Sequence, residues 1–91
     1  MKIKCVIIDD ERLAIEVIEN HLKSFDNIEI VASFNNPLKA YPILEREKVD
    51  VIFLDINMPQ MTGFSFIENL SNKPLIVITT AYREYAVKSF E

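Results

Sequence analysis

The sequence predicts an α/β fold of the doubly wound type, in which helices cover both faces of a parallel sheet. Along the 91 residues, short apolar runs rich in β-branched residues alternate with segments of helical periodicity. The connections between them are short, which favours parallel strands joined by right-handed crossovers. Polar residues follow the apolar runs at their carboxyl ends, where ligands bind in such sheets.

The first predicted strand covers residues 3–8, an almost wholly apolar run typical of a strand that is buried on both faces. Cys5 lies in this run, so we interpret it as a buried, unreactive thiol. Residues 12–25 then change to helical periodicity, which predicts the first helix. Its predicted inward stripe is Ala14, Ile15, Ile18, Leu22 and Phe25.

The second predicted strand, residues 28–34, alternates between apolar and more polar positions, as expected at the edge of a sheet. Its predicted inner side carries Ile28, Ile30, Ala32 and Phe34. Asn36 then predicts an N-cap and Pro37 the first turn of a second helix that reaches about residue 47. Pro42 falls inside this helix, which predicts a kink or a late start. The predicted inward residues are Leu38, Tyr41 and Leu44.

The third predicted strand covers residues 51–54 and ends at Asp55, and the turn that follows contains Pro59, which we expect to hold this loop. A third helix over residues 63–70 would carry Phe64, Ile67 and Leu70 inward. Gly63 is expected to provide the backbone freedom that the chain needs to enter this helix. A fourth strand over residues 75–78 ends in two threonines, and a last helix begins near residue 83 or 84.

Composition excludes several classes of function. A net charge of −4 offers no basic surface for nucleic-acid phosphates, so we expect no direct contact with nucleic acid. No apolar run reaches the roughly 18 residues that a membrane helix needs, and we expect a cytoplasmic protein. The single glycine excludes a Walker A loop and a dinucleotide-binding fingerprint, because both require several glycines.

Three carboxylates follow the first and third strands. Asp9, Asp10 and Asp55 would converge if these strands are neighbours in the sheet. Carboxylates so close must become protonated, move apart or bind a cation. With oxygen ligands alone, Mg²⁺ is the cation of choice. The alternative is that Asp9 and Asp10 only cap the first helix.

Three segments resemble the response-regulator receiver domains of two-component systems. They are residues 7–11 (IIDDE), residues 53–59 (FLDINMP) together with Gly63, and residues 78–81 (ITTA). The resemblance extends along essentially the whole chain and implies a flavodoxin-like fold with strand order 2-1-3-4. It identifies residues 1–91 as a single receiver domain.

The resemblance implies a role for each site residue. Asp55 would accept a phosphoryl group from the phosphohistidine of a sensor histidine kinase. Asp10, Asp55 and the backbone carbonyl of Asn57 would bind Mg²⁺, with Asp9 binding directly or through a water. Thr80 would turn its hydroxyl onto the phosphoryl group. The domain would then be a phosphoacceptor that assists its own phosphorylation and dephosphorylation, and not an enzyme.

Two residues near these segments have simpler interpretations. Thr79 precedes the switch threonine, and we assign it to ordinary strand packing. His21 lies in the first helix without a catalytic companion, so we assign it to the surface.

The resemblance also implies a fifth strand, a fifth helix and a phosphoryl-binding lysine, none of which we find in this sequence. We therefore expect the domain to be incomplete at its C-terminus. Its fourth strand would be an unprotected edge, so we expect a dimer or a domain-swapped oligomer. Residues 82–87 (YREYAV) resemble receivers that precede LytTR-type DNA-binding domains, which suggests a missing output domain of that kind.

Two other functions remain as alternatives. A phosphatase of the haloacid-dehalogenase type also uses a strand-end aspartate, but it requires two aspartates separated by one residue, whereas Asp9 and Asp10 are adjacent. A pseudo-receiver would be an interaction module that is never phosphorylated. The presence of all three acids and of Thr80 argues against it.

Overall fold

The computed structural model describes residues 2–56, 61–70 and 73–79, in which four strands form one parallel sheet of order β2-β1-β3-β4. The predicted fold class and strand order are confirmed. The strands are β1 (Ile3–Ile8), β2 (Ile28–Phe34), β3 (Val51–Asp55) and β4 (Leu75–Thr79). The helices are α1 (Arg12–Leu22), α2 (Tyr41–Arg46) and α3 (Gly63–Glu68), with a 3₁₀ turn at Pro37–Lys39 before α2.

Two hydrophobic clusters cover the two faces of the sheet, and β1 contributes to both. Successive side chains of a strand point to opposite faces, so Val6 and Ile8 pack on one side while Cys5 and Ile7 pack on the other. The α2–α3 cluster consists of Val6, Ile8, Ala40, Leu44, Ile52, Leu54, Phe66 and Leu70. The α1 cluster consists of Cys5, Ile7, Ile15 and Leu22. Cys5 is buried, as predicted.

Helix α1 is shorter than predicted, because the chain turns towards β2 directly after Leu22. The backbone N–H of Phe25 donates to the carbonyl of Leu22 at 3.0 Å, which places Phe25 in the turn. Its side chain is exposed, so its prediction as an inward residue is wrong. Ile15 and Leu22 are buried, and Ile18 packs against them.

Strand β2 lies at one edge of the sheet, as predicted, but its alternation is interrupted. The register with β1 shifts between Cys5 and Val6, which leaves Val31 as an extra residue in β2. Ile28 and Ile30 pack against the α1 cluster, whereas Val31 and Phe34 pack against the α2–α3 cluster. The prediction that Phe34 shares a side with Ile28 and Ile30 is therefore wrong.

Helix α2 begins late, as the interior proline predicts. Asn36 Oδ1 accepts a hydrogen bond from the backbone N–H of Leu38 at 3.0 Å, so the predicted cap is confirmed, but it caps the 3₁₀ turn. Helix α2 starts afresh at Tyr41, with Pro42 in its first turn, where a missing N–H costs nothing. Leu38 is exposed, because the helical period does not continue from the turn into α2.

Helix α3 contains a buried aromatic that the sequence pattern missed. Phe66 is wholly buried. Of the residues predicted to face inward, Leu70 is buried and Ile67 is half-buried. No helix among the described residues is long and apolar enough to cross a membrane. The Phe64 side chain, the loop residues 57–60 and the predicted last helix lie outside the described part of the chain.

Candidate functional site

The carboxyl ends of β1 and β3 lie side by side in the sheet. Ile8 pairs with Leu54, so Asp9 and Asp55 occupy the next position along each strand. One carboxylate oxygen from each of Asp9, Asp10 and Asp55 lies within 4.8 Å of the other two, and we call these three residues the acid cluster. The convergence that the sequence predicts is therefore present in the structure.

The acid cluster is buried on one side and open on the other. Asp9 is 3% exposed and Asp55 is 4% exposed, whereas Asp10 is exposed to solvent. Two carboxylates are thus largely withdrawn from water, and the third lies where an ion or a phosphoryl group can approach.

Hydrogen bonds hold Asp9 in place. Its Oδ1 accepts from the backbone N–H of Glu11 at 2.9 Å, and its own N–H donates to the carbonyl of Phe34 at 3.1 Å. The N-cap of α1 is Glu11, whose own side chain makes no capping hydrogen bond. Asp9 thus contacts the start of α1, as the capping alternative predicts, but capping does not account for the convergence of Asp9 and Asp10 with Asp55.

The electrostatics of the acid cluster favour binding of a cation. Burial raises the pKa of Asp9, and the charges of Asp10 and Glu11 raise it further, although the Glu11 N–H bond opposes them. Two ionised carboxylates at this separation repel each other by about 3.5 kcal/mol at an effective dielectric constant near 20. Oxygen donors of this kind suit Mg²⁺, which binds through one or two carboxylates and several waters.

Gly63 fixes the chain that follows Asp55. Its N–H donates to the carbonyl of Ile56 at 3.0 Å. A Cβ at Gly63 would lie 2.7 Å from Ile56 Cα and 3.1 Å from the carbonyl oxygen of Asp55. Gly63 does not have a positive φ, so the predicted reason for it is wrong. Close backbone approach, and not backbone freedom, requires the glycine.

The start of α3 is held by contacts that were not predicted from the sequence. Thr62 Oγ1 accepts from the N–H of Ser65 at 3.1 Å and caps the helix. Phe66 stacks on Tyr41 with ring centroids 4.9 Å apart, and the Tyr41 hydroxyl donates to Met61 Sδ at 3.5 Å. A threonine directly before Gly63 was the available signal for the cap. No comparable signal marks the aromatic stack.

The remaining predicted site residues divide into two groups. Thr79 is the last residue of β4 and pairs in register with Asp55. Asn57 and Thr80, predicted as a metal ligand and a switch residue, lie outside the described residues, as do Met58, Pro59 and Ala81.

The sequence profile of the response regulator receiver domain matches residues 5–91. The chain is 41% identical over 93 residues to protein MrkE of Klebsiella pneumoniae, covering 99% of this chain and 35% of that protein. It is 40% identical over 91 residues to the transcriptional regulatory protein YpdB of Escherichia coli, covering 97% of this chain and 37% of YpdB. The chain thus spans little more than a third of the length of these curated relatives.

Solved structures agree with this assignment. The response regulatory domain of MrkE from Klebsiella pneumoniae superposes with a TM-score of 0.76 at 39% identity, covering 96% of this chain and 74% of that domain. The isolated receiver domain of RcsB from Salmonella enterica serovar Typhimurium, solved with a phosphomimetic beryllium fluoride, gives a TM-score of 0.82 at 19% identity, over 98% and 69% of the two chains. At that identity the likeness shows the fold alone.

Proposed function

The chain belongs to the response regulator receiver domain family, and from that premise we propose that Asp55 accepts a phosphoryl group from a sensor histidine kinase. The observation that supports this role most directly is the convergence of three carboxylates within 4.8 Å at the carboxyl edge of the sheet. Asp55 is the last residue of β3 and lies beside Asp9 at this edge, so a fixed strand sets its position. The partner kinase implies a cytoplasmic location.

The transfer is a displacement at phosphorus. A carboxylate oxygen of Asp55 attacks the phosphorus of the phosphohistidine as the P–N bond breaks. The electron pair of that bond passes to the imidazole nitrogen, which takes up a proton. Phosphoryl transfer of this kind depends on positioning and charge neutralisation more than on covalent machinery.

Mg²⁺ is the proposed cofactor, and when bound it would neutralise charge on the phosphoryl oxygens. We assign Asp10, Asp55 and the backbone carbonyl of Asn57 as its protein ligands, with Asp9 acting directly or through a water. The Glu11 N–H bond to Asp9 keeps one oxygen of that buried carboxylate in a fixed orientation. The all-oxygen composition of the acid cluster supports this assignment.

Phosphorylation would then change the output of a longer protein. It adds about 1.5 to 2 negative charges at Asp55, and we propose that Thr80 turns its hydroxyl onto the new group. The regulated part would be a DNA-binding output domain, of the LytTR type that residues 82–87 resemble. The name of the related YpdB as a transcriptional regulatory protein supports such an output. The receiver itself transforms no separate substrate and assists only its own phosphorylation and dephosphorylation.

Incorporation of label from a radioactive small phosphodonor in the presence of Mg²⁺ tests the proposal. We expect labelling of the wild-type chain and none of Asp55→Asn. Asp50→Asn is the matched control, because Asp50 lies at the opposite end of β3, where its carboxylate accepts from the N–H of Lys4. Undiminished labelling of Asp55→Asn would remove Asp55 from the role. Absence of labelling in every variant would favour the pseudo-receiver.

A further inference from the structure

The hydroxyl of Thr79 is buried without a hydrogen-bond partner in the described part of the chain. Buried polar side chains nearly always have a partner, so an exception requires an explanation. Strand packing, the role predicted from the sequence, does not supply one, because valine would pack as well in this position without an unsatisfied oxygen.

The position of Thr79 indicates what the missing partner is. In the parallel ladder between β3 and β4, Thr79 is the register partner of Asp55. Paired residues of neighbouring parallel strands project from the same face, and the strands lie about 4.8 Å apart. Asp55 and Thr79 are therefore direct neighbours across the β3–β4 ladder, at the edge of the sheet where a group on the Asp55 carboxylate would lie.

We propose that Thr79 binds the phosphoryl group on Asp55 by donating a hydrogen bond from its hydroxyl to a phosphoryl oxygen. This inference rests on the proposed role of Asp55 as phosphoacceptor. It adds a second hydroxyl to the site, distinct from that of Thr80. Phosphorylation supplies three acceptor oxygens where the unphosphorylated site leaves the hydroxyl unsatisfied. The contact thus favours the phosphorylated state alone.

The affinity for beryllium fluoride in the presence of Mg²⁺ measures this contact, because beryllium fluoride on an aspartate imitates a phosphoryl group. We expect Thr79→Val to weaken this affinity about ten-fold, the effect of one hydrogen bond to a charged group. Thr79→Ser keeps the hydroxyl and should bind within about two-fold of the wild type. Ile78→Val, a neighbouring change in β4 outside the site, should leave the affinity unchanged.

Denaturation of the unphosphorylated chain separates this role from a structural one. Because Thr79→Val removes an unsatisfied buried oxygen, its urea midpoint should equal or exceed that of the wild type. Weaker beryllium fluoride binding together with a lower midpoint would show a structural role and overturn the inference.

The result for each variant distinguishes this inference from the proposed function. Wild-type affinity in Thr79→Val, with Asp55→Asn unable to bind, would overturn the role of Thr79 and leave that of Asp55 intact. Failure of the wild-type chain to bind beryllium fluoride or to take up label would overturn the role of Asp55, and the inference about Thr79 would fall with it.

Discussion

Strands β1 and β4 have nearly the same kind of sequence and opposite environments. Both are apolar runs rich in isoleucine and valine. In β1, Val6, Ile7 and Ile8 are wholly buried, whereas in β4 Leu75 is 66% exposed and Ile78 is 44% exposed. The difference arises from position, because β1 lies between β2 and β3 and β4 ends the described sheet.

This difference shows how the acid cluster is held. The buried ends of β1 and β3 carry Asp9 and Asp55 and fix their separation. Strand β4 contributes Thr79 to the same edge of the sheet but packs less tightly. In the proposed mechanism, the buried ends of β1 and β3 would bind the metal and accept the phosphoryl group, and the less buried β4 would contribute the Thr79 hydroxyl.

The largest expected effect on the free energy of unfolding comes from substituting two isoleucines that lie in the same row across the sheet. Ile8 pairs with Leu54, and Leu54 pairs with Ile78, so the two isoleucines occupy equivalent positions on β1 and β4. We expect Ile8→Ala to lower the free energy of unfolding by about 3 to 4 kcal/mol, because it leaves a cavity in a packed core. Ile78→Ala should cost less than about 1 kcal/mol, since much of its side chain is already in water.

Urea denaturation of both isoleucine variants measures this contrast. Equal losses of unfolding free energy would show that β4 is covered as completely as β1, and the comparison between the two strands would then be wrong.

Gly63→Ala should have the next largest effect on the free energy of unfolding, because it strains the chain that directly follows Asp55. The added Cβ would meet Ile56 Cα at 2.7 Å, so the backbone beside Asp55 must shift. We expect a loss of about 2 kcal/mol in unfolding free energy and slower labelling of Asp55. Glu68→Ala, at the exposed end of α3, is the control and should change neither. A fully stable Gly63→Ala with wild-type labelling would contradict the close packing.

Much of the fold could be predicted because it depends on local patterns. Apolar β-branched runs mark the strands, and the resemblance to receiver domains implies their order. The acid cluster follows from that order, since Asp9 and Asp55 stand at the ends of two runs that it places side by side. The cap at Asn36 and the late start of α2 follow from single residues with strong conformational preferences.

The errors concern features that depend on pairing and packing between elements. The extra residue Val31 in β2 arises from its register with β1, which no pattern within β2 reveals. Phe66 is buried because it stacks on Tyr41, a contact between two helices. The role of Gly63 depends on the approach of α3 to Ile56. The unsatisfied hydroxyl of Thr79 likewise becomes visible only in three dimensions.

Asp9→Asn should stabilise the metal-free chain at pH 7, by less than the Gly63→Ala change destabilises it. Burial raises the pKa of Asp9 in the folded chain. Between the ordinary aspartate pKa and this raised pKa, the folded chain keeps a proton on Asp9 that the unfolded chain has already lost. Stability therefore falls as the pH rises from the ordinary aspartate pKa towards the raised one. Asparagine keeps the acceptor for the Glu11 N–H and removes the charge.

The pH dependence of unfolding tests the Asp9 prediction. The advantage of Asp9→Asn over the wild type should disappear below about pH 4, where aspartate is protonated in both states. Ser33→Ala, an exposed change on β2 that involves no ionisable group, should show no such trend. A stability difference that is the same at pH 4 and pH 7 would contradict the assigned cause.

The smallest effect on unfolding, and the sharpest on association, is expected at β4. Strand β4 is the last strand of the described sheet and exposes Leu75 and Val77 on one face and Ile78 on the other, an arrangement that can pair with another chain. We expect the 91-residue chain to associate at tens of micromolar, and Val77→Lys to shift it to monomer while changing the unfolding free energy by less than about 0.5 kcal/mol.

Val17→Lys places the same charge at an exposed apolar position of α1 and should leave association unchanged. Light scattering distinguishes the outcomes. A wild-type monomer would show that β4 is protected in solution, and equal effects of the two lysines would assign association to net charge and not to the strand.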